Sequence, residues 1–258
     1  MILDLKNASN VNIVGNKAKG LYDLINLGLN VPKGFVIKSG TSVKEIKSFI
    51  AKKCSDKSVY VVRSSSNFED SNNYSFAGLF DTYVGVSKKK LFEKILDVMY
   101  MRNNNKLDDF CKKIGRDKSD IKVAIIVQKI LPSEISGICF TKHPVSNNLN
   151  EVYIEAILGL GEYIVSGEVN PDSYVINKKL SKIKSIKTAT QHKMLILKNK
   201  KVTEEPVFSY EQKMSDDLIK ELINCVKIIV NYYKKEMDLE FGIYKNKLYL
   251  LQARPITT

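Results

Sequence analysis

The chain has 258 residues, 44% hydrophobic and 27% charged, which suffices for a full core in one large domain or two lobes and excludes a disordered chain. Its formal net charge is +13, but the lysines are spread along the whole sequence, so a focused nucleic-acid surface is not expected. Apolar runs such as that around Ile125-Ile126-Val127 are too short to span a bilayer, and Met1-Ile2-Leu3-Asp4 lacks a signal-peptide start, so a cytoplasmic protein without a membrane partner is expected.

Gly15-Asn16-Lys17 precedes a helical pattern with Leu21, Leu24 and Ile25 on one face, which Gly28 stops before the extended Val31-Pro32-Lys33-Gly34-Phe35-Val36-Ile37. A second helix is expected to begin near Ser42, because Ser42 and Glu45 have capping-box spacing. A strand then ends at Arg63, and the hydroxyl-rich stretch from Ser64 onward reads as a loop to Ser75. Leu79 to Val86 reads as another strand, and helical periodicity returns with Leu91, Ile95, Val98 and Met99, followed by a shorter helix around Phe110. Val123 to Gln128 has the composition of a buried strand, and Pro132 marks the expected boundary between lobes 1–132 and 133–258. Beyond it, Gly137 to Thr141 and Val152 to Ile157 read as strands of a second sheet.

From Lys178 to Lys201, lysines alternate with Ile183, Ile186, Leu195 and Leu197, a pattern that fits exposed strands with a solvated lysine face better than a polyanion site. Ser215, with Asp216 and Asp217 in the first turn, caps a helix whose stripe of Leu218, Leu222, Val226, Ile229 and Tyr233 is core. The four cysteines, Cys54, Cys111, Cys139 and Cys225, are widely spaced, which argues against a zinc ribbon or a disulfide framework.

All but four of the 41 basic residues are lysine, so an arginine marks a place where a planar, five-donor fork is needed. Arg63 ends a β-branched run beside the serines, and Arg254 ends Leu248-Tyr249-Leu250-Leu251-Gln252-Ala253-Arg254-Pro255. Forked donors at strand ends beside small polar residues suit phosphate oxygens, with structural salt bridges as the alternative. Met237 to Ile243 and Leu248 to Arg254 form two strands around a polar turn at Lys245-Asn246-Lys247. If the hairpin closes symmetrically on Asn246, Glu240 faces Gln252 and Asp238 faces Arg254, and all four side chains share one face. A carboxylate beside an amide oxygen makes an oxygen-only site of the kind Mg²⁺ uses when phosphates supply its other ligands. An Asp238–Arg254 ion pair on an exposed sheet face is the alternative. No G-x-x-x-x-G-K-[ST] is present, and Gly159-Leu160-Gly161-Glu162 lacks the third glycine of a dinucleotide fingerprint.

Five ordered segments resemble the N-terminal ATP-binding domain of the pyruvate phosphate dikinase and phosphoenolpyruvate synthase family, also found in rifampin phosphotransferases. They are Gly15-Asn16-Lys17; Val62-Arg63-Ser64-Ser65-Ser66 with Glu69-Asp70; Ser75-Phe76-Ala77-Gly78 with Asp81-Thr82; Gly159-Leu160-Gly161-Glu162 with Pro171-Asp172; and Asp238-Leu239-Glu240 with Gln252-Ala253-Arg254-Pro255. The resemblance implies an α+β, ATP-grasp-like fold, two lobes with mainly antiparallel sheets closing on a nucleotide cleft. It also implies that Lys17 and Arg63 hold phosphates of ATP and that Gly78 and Thr82 lie on a phosphate-covering segment. Gln128, Lys129, Ile130 and Leu131 would receive the adenine. Glu240 and Gln252 would bind Mg²⁺, with Arg254 on the transferred phosphoryl group and Asp238 in support; Lys17, Arg63 and Arg254 are thus the expected catalytic cations.

The sequence departs from the family pattern at Gly15-Asn16-Lys17-Ala18, where Gly-Gly-Lys-Gly is common, and at Thr141-Lys142-His143-Pro144, where Thr-x-Asp-Pro is usual. Neither His143 nor His192 lies in the glycine-threonine-serine-histidine setting of the family's phosphoryl acceptor. The resemblance therefore implies a kinase-type component that passes a phosphoryl group from Mg·ATP to a histidine on a separate swivelling domain or chain. A nucleotide-binding regulatory module, the ATP-binding part of an antibiotic phosphotransferase and a polyanion-binding protein are the alternatives.

Overall fold

The computed structural model of the chain describes residues 1–68, 82–100, 111–112, 115, 117 and 120–256. Two compact units share them: Met1–Asn26 with Pro32–Ile130, and Leu27–Val31 with Leu131–Ile256. Each is α+β and built on a mainly antiparallel sheet.

The first unit holds β1 (Ile2–Asp4), β2 (Gly34–Ile37), β3 (Val59–Ser66), β4 (Thr82–Ser87) and β5 (Val123–Lys129) in the order β1-β2-β5-β3-β4, with every pairing antiparallel. On one face, α2 (Val43–Lys53) and α3 (Lys88–Tyr100) bury Ile46, Ile50, Leu91, Ile95 and Val98 against Tyr60, Val62, Ile125 and Val127. Each such side chain contributes about 1.5–3 kcal/mol when fully buried. On the other, α1 (Val11–Asn26) packs on β3 and β5. Both faces of β5 are therefore covered, which explains its uninterrupted burial from Val123 to Gln128.

Ser42 caps α2, its Oγ accepting from the Glu45 N–H at 3.3 Å, while the Glu45 carboxylate is drawn to the Met1 ammonium at 3.2 Å. The expected loop after Arg63 is corrected: β3 continues through Ser64, Ser65 and Ser66, which pair with Ile125, Ala124 and Val123 and are almost wholly buried. Small hydroxyls can be buried in a strand once donors and acceptors are supplied, and that supply is a tertiary fact local sequence does not carry. The helix expected around Phe110 lies outside the described residues.

The second unit has a six-stranded antiparallel sheet in the order β13-β12-β6-β7-β8-β9. The strands are β6 (Ile135–Phe140), β7 (Glu151–Leu158), β8 (Asp172–Asn177), β9 (Lys182–Lys187), β12 (Met237–Tyr244) and β13 (Lys247–Pro255). A separate ribbon pairs β10 (Gln191–Lys198) with β11 (Lys201–Ser209), which tolerates Pro206 because a two-stranded ribbon is all edge. The short α4 spans Glu162–Ser166, and α5 spans Asp216–Tyr233. As expected, Ser215 caps α5, its Oγ accepting from the Leu218 N–H at 3.4 Å, and Leu218, Leu222, Val226 and Ile229 are core, whereas Tyr233, expected with them, is only half-buried at the helix end.

At one edge of this sheet the lysine-rich β9 is mostly exposed, a charge pattern that discourages pairing with another chain. At the other, Asn30 covers β13: its Nδ2 donates to the Leu248 carbonyl at 3.1 Å, and its own carbonyl accepts from the Leu250 N–H at 2.8 Å. No helix among the described residues is long and apolar enough to cross a membrane.

Candidate functional site

In the first unit, strand geometry gathers several candidate residues on the α1-facing side of the sheet. Val62 points into the core with α2 and α3, so Arg63 and Ser65 point the other way. Ser65 Oγ accepts from the Ala18 N–H at 3.0 Å, which anchors the segment carrying Lys17 beside the end of β3. Gly15 makes that approach possible: with φ at 79° it interrupts the helix, and a Cβ there would lie 2.3 Å from the Ser65 carbonyl oxygen. Lys17 is half-buried. Thr82 stands directly opposite Arg63 on β4 and is exposed. Gly78 lies outside the described residues.

Gln128 is placed on β5 two residues beyond Ile126, the partner of Arg63, so the two side chains are diagonal neighbours. Its Oε1 accepts from Arg63 Nη2 at 3.0 Å, and its Nε2 donates to the Pro32 carbonyl at 3.0 Å. The next residues have backbone partners beside the neighbouring strands: the Lys129 N–H donates to the Lys33 carbonyl and the Ile130 N–H to the Val59 carbonyl, both at 2.9 Å. Leu131, in the second unit, accepts from the Ser133 N–H at 2.8 Å.

In the second unit, β12 and β13 pair with Asp238 opposite Arg254 and Glu240 opposite Gln252. The expected symmetric closure on Asn246 is corrected. The turn is the two-residue Lys245-Asn246, both with positive φ, so Lys247 pairs with Tyr244 and the register near the turn is offset by one. A bulge at Leu251 absorbs the offset between the Phe241–Leu250 and Glu240–Gln252 pairs, so the polar residues still meet. The Asp238–Arg254 ion pair does form: Arg254 Nε and Nη2 both donate to Asp238 Oδ2, at 2.8 and 2.7 Å. Asp238 Oδ1 is buried and accepts no hydrogen bond. A buried carboxylate oxygen without a donor, next to a second carboxylate and the buried amide of Gln252, fits a hard cation that prefers oxygen ligands. No group of three or more His, Cys, Asp and Glu side chains suited to a metal occurs among the described residues, so a cation on this hairpin would draw further oxygens from a ligand.

The family described as "Pyruvate phosphate dikinase, AMP/ATP-binding domain" matches residues 40–258. The chain belongs to this family. It is 33% identical, over 99% of its length, to a probable phosphoenolpyruvate synthase of Methanocaldococcus jannaschii, of which it covers 26%. It is 32% identical, over 95% of its length, to an uncharacterized phosphotransferase of Bacillus subtilis, of which it covers 34%. Against a rifampicin phosphotransferase of Bacillus cereus it is 30% identical over 79% of its length and covers 24% of that protein. The chain thus spans about a quarter to a third of the length of these relatives.

Within this AMP/ATP-binding domain, two residues acquire roles that local sequence did not assign. Glu162 opens α4, and its Oε2 is buried without a hydrogen-bond partner. Burial raises its carboxyl above the usual carboxylate range. A raised acid stabilises the fold fully below its unfolded pKa, about 4.3, and loses that contribution as pH rises through the folded value. Glu162→Gln should therefore melt above the wild type near pH 7, with the gap closing as pH falls towards 4. Melting curves across that range check this; a gap independent of pH would show that the carboxylate's charge is not the cause.

Asp172, the acid of Pro171-Asp172, is wholly buried. Its Oδ1 accepts from Lys213 Nζ at 2.5 Å and the Ala189 N–H at 2.9 Å, and its Oδ2 from the Lys213 N–H at 2.8 Å and the Tyr174 hydroxyl at 3.0 Å. His143 caps a local turn, its Nδ1 accepting from the Val145 and Ser146 N–H groups, both at 3.3 Å, where an aspartate oxygen could do the same.

Proposed function

We propose that the chain is the ATP-binding component of a dikinase-like phosphotransferase, binding Mg·ATP and passing a phosphoryl group to a histidine on a separate swivelling domain or chain. The observation that carries this reading is the register of the second unit, which sets Glu240 against Gln252 and Asp238 against Arg254 on one strand face. Arg63 beside Thr82 and the Lys17 segment, in the first unit, supports it. Residues 1–132 act as the phosphate-binding lobe and residues 133–258 as the metal-hairpin lobe of a cytoplasmic enzyme. The names of the relatives favour phosphoenolpyruvate-type or antibiotic-type final acceptors, reached through the histidine.

Lys17 and Arg63 hold phosphate oxygens, Arg63 through its planar fork. Gly78 and Thr82 cover the phosphates, and the segment Gln128, Lys129, Ile130 and Leu131 receives the adenine. Arg254 meets the transferred phosphoryl group while Asp238 fixes its guanidinium. Glu240 and Gln252 hold Mg²⁺, which when bound neutralises charge on the phosphate oxygens. Little covalent chemistry is demanded of the protein, so its contribution is placement and charge.

The reading is tested by melting the protein with and without Mg·ATP. The ligand should raise the melting temperature of the wild type, since it binds the folded state. Arg63→Lys should lose most of that rise despite keeping the charge, because a point charge does not reproduce the bidentate fork. No rise in the wild type would overturn the reading; an equal rise in both proteins would remove Arg63 from the site.

A further inference from the structure

We infer that Gln128 is a positioning residue for Arg63: its side-chain amide orients the guanidinium for phosphate and makes no contact with the base. This rests on the proposed Mg·ATP reading and adds to it a role for a side chain that the resemblance placed only in the adenine-receiving segment.

Gln128 is 5% exposed, and its amide is fixed at both ends. The oxygen accepts from Arg63 Nη2 and the nitrogen donates to the Pro32 carbonyl, each at 3.0 Å. Because the carbonyl accepts only, it requires the NH₂ of the amide on its side, and the Oε1 acceptor is thereby forced towards Arg63. The backbone on both sides is fixed too, since Gln128 pairs with Val61 of β3 and Gly34 of β2. Gly34 provides the room: a Cβ there would lie 2.6 Å from Gln128 Cγ and 2.5 Å from the Val127 carbonyl oxygen. A glycine under the stem, a carbonyl at the nitrogen and a guanidinium at the oxygen leave the side chain one arrangement.

The functional consequence follows from Arg63's flexibility. Arginine carries large rotamer freedom, and a fork that Gln128 already orients loses less of it on meeting a phosphate. A methionine at position 128 fills similar volume without an acceptor, so Arg63 would keep its charge and lose the contact that orients Nη2.

A double-mutant cycle on Mg·ATP affinity, measured by titration calorimetry, tests this. Gln128→Met should weaken binding by about tenfold, the size of effect expected from one hydrogen bond to a charged group. In an Arg63→Lys background the same change should matter less than about twofold, because the fork it orients is gone. A merely structural role would instead lower the melting temperature of the ligand-free protein and act equally in both backgrounds. If Gln128→Met does not fold, Gln128→Leu takes its place: it also removes the acceptor facing Arg63 and should lose affinity only while Arg63 is present. Equal losses with and without Arg63, or no loss in the single variant, would overturn the inference while the wild type's Mg·ATP binding stands. Absence of Mg·ATP binding in the wild type would overturn the underlying reading as well.

Discussion

Lys213→Met should be the most destabilising single change at any of the sites described, costing about 3–5 kcal/mol, the range for removing one partner of a buried ion pair. Both side chains are wholly buried, and the Lys213 ammonium also donates to the Ala189 carbonyl at 2.8 Å. Without it, Asp172 keeps three donors but loses its counter-charge, and the Ala189 carbonyl loses a donor. The network ties the start of β8 to the segments before β10 and before α5, so its loss should loosen the second unit. Urea unfolding monitored in that unit measures the cost. The double variant Asp172→Asn with Lys213→Met should be more stable than Lys213→Met alone, because it removes the stranded charge as well. Equal stability of the two variants would mean that the ion pair is not what the fold depends on.

Local pairing made part of this architecture legible in the sequence. The β12–β13 hairpin joins neighbouring strands, so register could be counted across a short turn, and the opposition of Glu240 to Gln252 follows from that count. The same count missed the two-residue turn and the Leu251 bulge, two offsets that cancel before the polar residues are reached. The caps of α2 and α5 are local and legible for the same reason. Ser64, Ser65 and Ser66 were not, because their partners lie on β5 and α1, and polar composition alone reads as a loop. Nor does any spacing rule connect Asp172 to Lys213, 41 residues away, or Arg63 to Gln128, 65 residues away. The Gly159-Leu160-Gly161-Glu162 segment carried a signal in its glycines: a Cβ on Gly159 would lie 2.4 Å from the Leu195 carbonyl oxygen. That contact is with a ribbon strand, and its existence is a tertiary matter.

Glu240→Ala should reduce phosphoryl transfer by at least about a hundredfold, comparable to losing one preorganised electrostatic contact at a reacting centre. Glu240 is half-buried on the polar face of β12, whereas its neighbours Leu239 and Phe241 carry the packing, so the variant should fold and melt close to the wild type. On the proposed reading alanine removes the charged oxygen ligand, while it leaves the Gln252 amide and the Arg254–Asp238 pair. Mg·ATP would then bind more weakly and lose the placement that brings its phosphoryl group to the acceptor. The measurement is acid-labile label on a histidine-bearing swivelling domain from a related dikinase, with β- or γ-labelled ATP to show which phosphoryl group moves. Wild type should label the domain, and Glu240→Ala should not within the same time. Full transfer by Glu240→Ala would take the metal away from this hairpin. A wild type that binds both Mg·ATP and the partner domain, yet never labels it, would make the chain a nucleotide-binding regulatory module.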